Sequence, residues 1–458
     1  MIGAALVASP RCACAQSADI AAKADQYLTV RADMGNFTGA VLIAKGDRVI
    51  FRKGYGYADI DKRVPFTADT QHEVASVSKM FTAMAALKLR DARKLRLADS
   101  ICMYLDDCPE IWKPITVDEL IHHTSGIPDY EDPLGLGSKA YMEFMTKPDA
   151  MVRIMTDARS KPLDFPPGTK FSYSNTAYDL LSYIVQRAAG KPFAEYVRST
   201  LLRPAGMIHS GVIGVDSPKN LETAYTWDEL GWEKTLGGVS FTDGFMQRVA
   251  NLPLTQPDGD AWLFTTLDDL FTWSRVMDGG KLVPAPEVAE VFRPELGNYG
   301  FGWFVDKSFD RVHYGHTGAL PGRLTNFIKF PGDSVTIVIF SNSDRGRMAS
   351  ATHDLSAIVL GQPYDMPVRG KVVTLTADQI APLLGEYKQA DGKVLAISMG
   401  DMLTAKLTGR YTAGLIPLSP TEFYFPLADG RAIFTLGNDG KATQVNMRYS
   451  GADHIAMR

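Results

Sequence analysis

From Met80 to Leu87 the chain reads MFTAMAAL, with Thr82 as the single polar side chain. A helix that is apolar nearly all round must be covered on every side. Any fold for this chain therefore has to wrap structure around that segment. Within EVASVSKMFTAMAAL (residues 73–87), Ser76 and Lys79 stand at the mouth of the helix. An ammonium withdrawn from water has to be paired, neutralised or put to use. The lysine is thus a question about function as much as about folding.

The order of elements around the helix sets the fold class. GAVLIAKGDRVIFRKGYGYAD (39–59) holds two apolar runs about Gly46-Asp47, the pattern of a β-hairpin. From there to about residue 290 the pattern is mostly helical: VDELIHHT, SKAYMEFM, TAYDLLSYIVQRAAG, FAEYVRSTLLRPAGM and TLDDLFTWSRVMDGG all have helical period. Strands return in YGFGWFVD, DRVHYGHTG, LTNFIKFPG and SVTIVIFSN, and a helix such as MASATHDLSAIVLG follows. This order predicts an α+β domain: an antiparallel sheet made from both chain ends, flanked by helices, with an all-helical region inserted. GQPYDMPVRGK (361–371) reads as a linker. Beyond it the period changes to two, in short segments parted by DG, GD and NDG. That tail predicts a small all-β barrel or sandwich. The expected division is 1–16 as a signal peptide, 17–361 as the main domain, 362–371 as linker and 372–458 as the β domain.

A chain of 458 residues with net charge −4 and no long basic or acidic block offers no nucleic-acid surface. A small molecule or short peptide is the expected partner, and oligomeric state is left open. The N-terminal MIGAALVASPRCACAQ has a short apolar run and an Ala13-Cys14-Ala15 site resembling that of signal peptidase, without the usual basic start. It points to a secreted or periplasmic protein. No run is long enough to span a bilayer. Of the four cysteines, Cys102 and Cys108 lie beyond the signal, as either a small disulfide or two buried thiols.

Three motifs carry chemistry. Ser76 and Lys79, spaced i and i+3, share one face at a helix start, where free backbone N–H groups can meet a developing oxyanion. A lysine in a dry site can lose its proton and act as a base for the serine. In FPPGTKFSYSNTAYDLLSYIV (165–185), a turn and an extended run lead through Tyr173 to Asn175 at the start of a helix. There the phenol can reach a serine and lysine, or pack on the surface while Asn175 caps the helix. In VHYGHTGALPGRLTNFIKFPG (312–332), His316, Thr317 and Gly318 lie on or end a strand. The glycine allows close approach of a ligand, and the Ala319 N–H is a candidate oxyanion donor.

Taken in order, S-x-x-K, Y-x-N and H-x-G resemble the serine β-lactamase and penicillin-binding-protein superfamily. The nearest part is its class C-like branch, with D-aminopeptidases, DD-carboxypeptidases and β-lactamase-fold esterases. LIHHTSGIPDY (120–130) is similar to a loop of that branch. The resemblance spans about residues 20 to 360. It implies Ser76 as acylated nucleophile, Lys79 as its base and Tyr173 as the proton shuttle. It also implies Asn175, His316, Thr317, Gly318 and Ala319 as substrate-binding positions, the N–H groups of Ser76 and Ala319 as oxyanion hole, and no metal or cofactor. The expected reaction is hydrolysis of a short peptide, D-amino-acid amide or carboxylic ester through an acyl-enzyme.

Two departures from the family pattern bear on the substrate. Relatives carry lysine where His316 stands, and a mostly neutral histidine grips a penicillin-like carboxylate less well. Asp260-Ala261-Trp262 replaces a small glycine pair, which implies a changed pocket wall or loop. These departures leave two alternatives, a β-lactamase or penicillin-binding protein with slow deacylation and a non-catalytic binding or sensing protein. His122-His123 has no H-x-x-x-H pair, no carboxylate at ligand spacing and no C-x-x-C, so its expected role is structural and metal ligands are expected to be none. The absence of G-x-G-x-x-G, G-x-x-x-x-G-K and G-x-S-x-G counts against a dinucleotide fold, an NTPase and an α/β-hydrolase.

Overall fold

The computed structural model describes residues 10–33, 36–135, 139–147, 149–227, 246–248, 259–280, 282–343, 348–367, 373–400, 403–408, 412–425, 430–449 and 452–458. Two compact units result. One joins Thr38–Thr226 to Arg248–Asp344, and the other takes in both chain ends, Met1–Phe37 and Arg345–Arg458, with Trp227–Gln247.

The first unit is built on a six-stranded antiparallel sheet. Its strands are β1 (Gly39–Lys45), β2 (Arg48–Tyr55), β3 (Phe304–Ser308), β4 (Arg311–Leu320), β5 (Arg323–Phe330) and β6 (Val335–Ser341). Their order is β3-β4-β5-β6-β1-β2, so the two ends of the unit meet where β1 pairs with β6, Gly39 opposite Ser341 and Lys45 opposite Val335. All seven residues of β6 and six of the seven in β1 are buried. That is why VTIVIFS and GAVLIA read as continuous apolar runs rather than as alternation: interior strands covered on both faces have no solvent side. The edge strands β2 and β3 are mostly exposed or half-buried instead.

The apolar segment forms the helix Ser78–Asp91, buried at every position from Ser78 to Leu87. Phe81 stacks on Trp273 at 4.3 Å between centroids and meets Trp262 edge-on at 6.2 Å. Thr82, the lone polar residue, accepts from Trp262 Nε1 (2.9 Å) and donates to the Gly259 carbonyl (2.6 Å). Its hydroxyl is therefore satisfied inside the core, as buried polar groups must be. The inserted helical region follows the sequence pattern, with helices at Val117–Ile121, Lys139–Met145, Asn175–Ala189 and Leu267–Val276 among others, and it adds Ala150–Ser160, which the sequence reading did not mark.

In the second unit, the helix Pro10–Asp33 packs on Met348–Leu360, with the Tyr27 hydroxyl donating to a buried Asp354 oxygen at 2.6 Å. The sequence reading placed residues 17–361 in one domain, took 1–16 as a signal peptide and marked no helix before the first hairpin. The same unit contains a nine-stranded antiparallel sheet from Gly385–Gln389 to Ala452–Met457. It closes around Leu383, Tyr387, Leu395, Ile397, Phe423, Phe434 and Val445 as a near-barrel. Each period-two segment of the tail contributes a strand, and Gly385–Gln389 adds one the sequence did not mark. Cys102 and Cys108 are joined as a disulfide. Among the described residues no helix is long and apolar enough to cross a membrane.

Candidate active site

Ser76 lies in a single 3₁₀ turn, Ala75–Val77, just ahead of the helix Ser78–Asp91 rather than inside its first turn. The turn is held from both sides. His72–Glu73 pairs with Phe264–Thr265, and Val74 N donates to the Leu263 carbonyl at 3.0 Å. Ala75 has φ +50°, an uncommon conformation for a residue with a side chain. The tight entry leaves Ser76 half-buried with its hydroxyl 3.0 Å from Lys79 Nζ.

Lys79 is fully buried. Its ammonium donates to Ser76 Oγ (3.0 Å), Asn175 Oδ1 (2.7 Å) and the Asp260 carbonyl (3.3 Å), with Asp260 Oδ2 at 3.5 Å. It also lies 5.0 Å from the centre of the Tyr173 ring. Burial opposes its charged form, but the Tyr173 oxygen and the Asp260 carboxylate outweigh that, and its pKa is raised above the ordinary value. The sequence reading expected the dry site to strip the proton. The shift runs the other way because the Tyr173 oxygen, and then Asp260, a carboxylate brought from 181 residues away, favour the ammonium.

Asn175 opens the helix Asn175–Ala189, and the cap is Ser174, whose Oγ accepts from Ala177 N at 3.2 Å. This frees the Asn175 side chain. Its Nδ2 and its backbone N both donate to Asp129 Oδ2, at 3.1 and 3.2 Å, which turns Oδ1 towards Lys79. Asp129 comes from the loop LIHHTSGIPDY, as does His123, which is buried with φ +56° and accepts from Ser174 N at 3.0 Å. The His123 ring lies 4.3 Å from that of Tyr173 and backs it, with Tyr299 at 4.7 Å and Tyr178 at 4.9 Å. Burial raises the Tyr173 pKa while Lys79 and Ser76 draw it down.

On the sheet side, β4 lies against the serine turn. A Cβ at Gly318 would fall 2.1 Å from the Val74 carbonyl. The glycine is therefore required by the packing of strand on turn, and the close approach the sequence assigned to a ligand is made by protein. That packing sets Ala319 beside the turn carrying Ser76. His316, 3% exposed, spends both ring nitrogens internally, on the Thr317 carbonyl and on the Tyr299 hydroxyl. Burial and then the Lys79 charge push its pKa down to about 3, so it is neutral. Thr317 and Ala319 alternate with it and are exposed on the other face of the strand, leaving only their backbone for the site.

Three residues to which the sequence reading gave no part at Lys79 belong to this cluster: Asp129, Glu131 and Asp260. Burial, then Asp260 and Asp129, raise Glu131 to about 8, and burial raises Asp129 to about 6. Nothing in their spacing announces them; polar residues within otherwise apolar or turn-forming stretches were the only signal. Trp262 is 1% exposed and belongs to the core, so of the Asp260-Ala261-Trp262 departure it is Asp260 that reaches the site. His122 has a carboxylate near it after all. Asp118, one helical turn earlier, places Oδ1 3.4 Å from His122 Nδ1, and Glu295 completes a group of three potential ligand atoms.

A serine in a strained turn, hydrogen-bonded to a buried lysine and faced by a tyrosine, on an antiparallel sheet with a helical insertion, is an arrangement of the serine-hydrolase class. The chain belongs to the β-lactamase family, which its residues 24–360 match. It is 26% identical over 453 residues to penicillin-binding protein 4* of Bacillus subtilis, covering 92% of this chain and 95% of that protein. It is 29% identical over 335 residues to a D-aminopeptidase of Gluconobacter oxydans, covering 71% of this chain and 59% of the other. The octameric penicillin-binding protein homologue from Pyrococcus abyssi shares the fold, with a TM-score of 0.65 at 20% identity over 95% of this chain and 99% of that one.

Proposed function

We propose that the protein is a serine hydrolase that cleaves a short D-amino-acid amide, peptide or ester through an acyl-enzyme on Ser76. The observation that carries this is the contact of Ser76 Oγ with Lys79 Nζ at 3.0 Å, beside Tyr173 and Asn175. Ser76 Oγ attacks the carbonyl carbon, and its proton passes to the Lys79–Tyr173 pair once that pair has released one proton to solvent. The N–H groups of Ser76 and Ala319 receive the oxyanion. Tyr173 returns the proton to the leaving nitrogen or oxygen as its bond to carbon breaks. Water then hydrolyses the ester and regenerates Ser76.

The charge of the site supports the substrate class. His316 is neutral, and of these site residues Lys79 carries the positive charge that could meet a substrate carboxylate, and it is already engaged with Asn175 and Asp260. The cluster also holds Asp129 and Glu131, raised carboxyls that a free amine of the substrate would ionise and pair with. The likeness to a D-aminopeptidase agrees with that preference. The likeness to penicillin-binding protein 4* over 92% of the chain supports a second reading, an acyl-enzyme that hydrolyses slowly. We place the protein outside the cytoplasm, as the Cys102–Cys108 disulfide favours an oxidising compartment.

Intact-protein mass spectrometry of wild type and Ser76→Ala tests the reading, after exposure to a penicillin, a short-chain activated ester and D-alanine amide. The expected result is turnover of amide or ester, with an adduct on wild type that Ser76→Ala lacks. A lasting penicillin adduct selects the second reading. Reaction persisting in Ser76→Ala, or none with any probe, overturns both.

A further inference from the structure

Asp260 takes no part in the proposed proton path, yet the protein goes to some length to hold it there. On one side, Gly259 N donates to Asp179 Oδ1 at 3.0 Å and its carbonyl accepts from Thr82. A Cβ at residue 259 would lie 1.9 Å from the Tyr178 carbonyl. On the other side, Trp262 is bonded to Thr82 and Leu263 N donates to Ser78 Oγ at 3.0 Å. The backbone is thus pinned on both sides, to the nucleophile helix and to the helix Asn175–Ala189. Between these pins a carboxylate 3% exposed is carried to 3.5 Å from Lys79 Nζ.

The groups facing Lys79 come from every neighbouring element. The loop of residues 120–130, with Glu131 directly after it, supplies His123, Asp129 and Glu131. The approach to that helix supplies Tyr173, the helix itself supplies Tyr178 and Asp179, and β4 supplies His316. Both imidazoles are held neutral by burial, the Lys79 charge adding to it. Of the carboxylates, Asp260 is the one in an ion pair with the ammonium.

We propose that Asp260 is a positioning residue for the reaction at Ser76: its buried carboxylate grips Lys79 Nζ and fixes the charge and direction with which Lys79 meets the serine. This rests on the reading of Ser76 as nucleophile. The pair holds a proton on Lys79 in the resting site. Acceptance of the Ser76 proton by Lys79 and Tyr173 then waits on higher pH than it would without the carboxylate, because an adjacent anion favours the protonated form of both.

Two measurements test this, one independent of catalysis. In a thermal double-mutant cycle, Asp260→Asn strands a buried ammonium and is expected to lower Tm by about 5–10 °C. In a Lys79→Met background the same change should cost little, and an equal drop in both backgrounds overturns the inference. In the second, the acid limb of the Ser76 acylation rate against pH is expected to move down by at least about one unit in Asp260→Asn, roughly a tenfold gain at a fixed pH on the limb. Asp260→Glu should return it towards wild type. A limb unmoved in Asp260→Asn, while wild type acylates, sinks the inference and leaves the Ser76 reading standing. Failure of wild type to acylate sinks that reading, and the thermal cycle still decides the Asp260–Lys79 pair.

Discussion

Asn175 does its proposed work only if its amide is turned the right way, and Asp129 decides that. With two N–H groups donating to Asp129 Oδ2, the amide has one orientation in which Oδ1 can accept from Lys79. Asp129→Ala leaves both donors without this acceptor and the amide free to rotate. We expect kcat/KM to fall by about 10- to 100-fold, roughly 1.4 to 2.8 kcal/mol of transition-state stabilisation, with Asp129→Asn losing less. Steady-state kinetics of the two variants, compared at equal thermal stability, check this, and equal losses in both would remove the orienting role. Ser76, Lys79, Tyr173 and Asn175 were legible from the sequence because each belongs to a motif with fixed local spacing. Asp129 and Asp260 were not, because what joins them to Lys79 is tertiary packing, to which spacing along the chain is blind. The direction of the Lys79 shift was misread because burial was weighed without the Tyr173 oxygen and Asp260 beside the ammonium.

At the scale of elements, the hairpin, the buried helix, the returning strands and the β tail were legible because their periodicities differ and turn residues part them. Two misreadings have identifiable causes. Ser174 and Asn175 are both good caps, and only the backbone of the extended run shows that the helix begins one residue earlier than a cap at Asn175 would require. The helix Pro10–Asp33 buries Ile20, Ala24, Tyr27, Leu28 and Arg31, a helical stripe diluted by alanine and polar residues. Gly318 shows how an element interface shapes the site. A methyl there meets the Val74 carbonyl at 2.1 Å, a backbone atom that no rotamer change can move aside. Gly318→Ala should push β4 away from the serine turn. The expected stability loss is on the order of 2–4 kcal/mol, with a larger loss of acylation rate, about 100-fold or more. Gly332→Ala, where no atom lies within 4 Å, is the control and should change neither. Denaturant unfolding and acylation rates measured together decide whether the strand sets the site or merely supports the fold.

For the molecule as a whole, the site is a concentration of buried titratable groups, and its cost depends on pH. The sheet that carries it was readable in outline from strands at both ends of the first unit. The pairing of β1 with β6 and the charges gathered at one end of the buried helix emerge only with the fold. In the folded chain His316 is pushed down to about 3 and His123 well below its ordinary value, so neither takes a proton that the unfolded chain takes up below about pH 6.5. Their contribution to stability is present above that pH and is lost as the pH falls. Asp129 and Glu131, raised to about 6 and about 8, behave oppositely. Their contribution is full below the unfolded values near 4 and is lost as the pH rises through the folded ones. Between about pH 4.5 and 6 the two pairs offset one another, and above about 6.5 Glu131 alone is left to titrate. From these groups, stability should therefore decline between pH 6.5 and 8.5. Glu131→Gln should abolish most of that decline, a difference on the order of 2–4 kcal/mol at pH 8.5 and little at pH 5. Denaturant unfolding of wild type and variant at both pH values measures it. Parallel stability curves would mean that Glu131 ionises as an ordinary surface carboxylate does, and the acidic wall would then carry its full charge in the empty site.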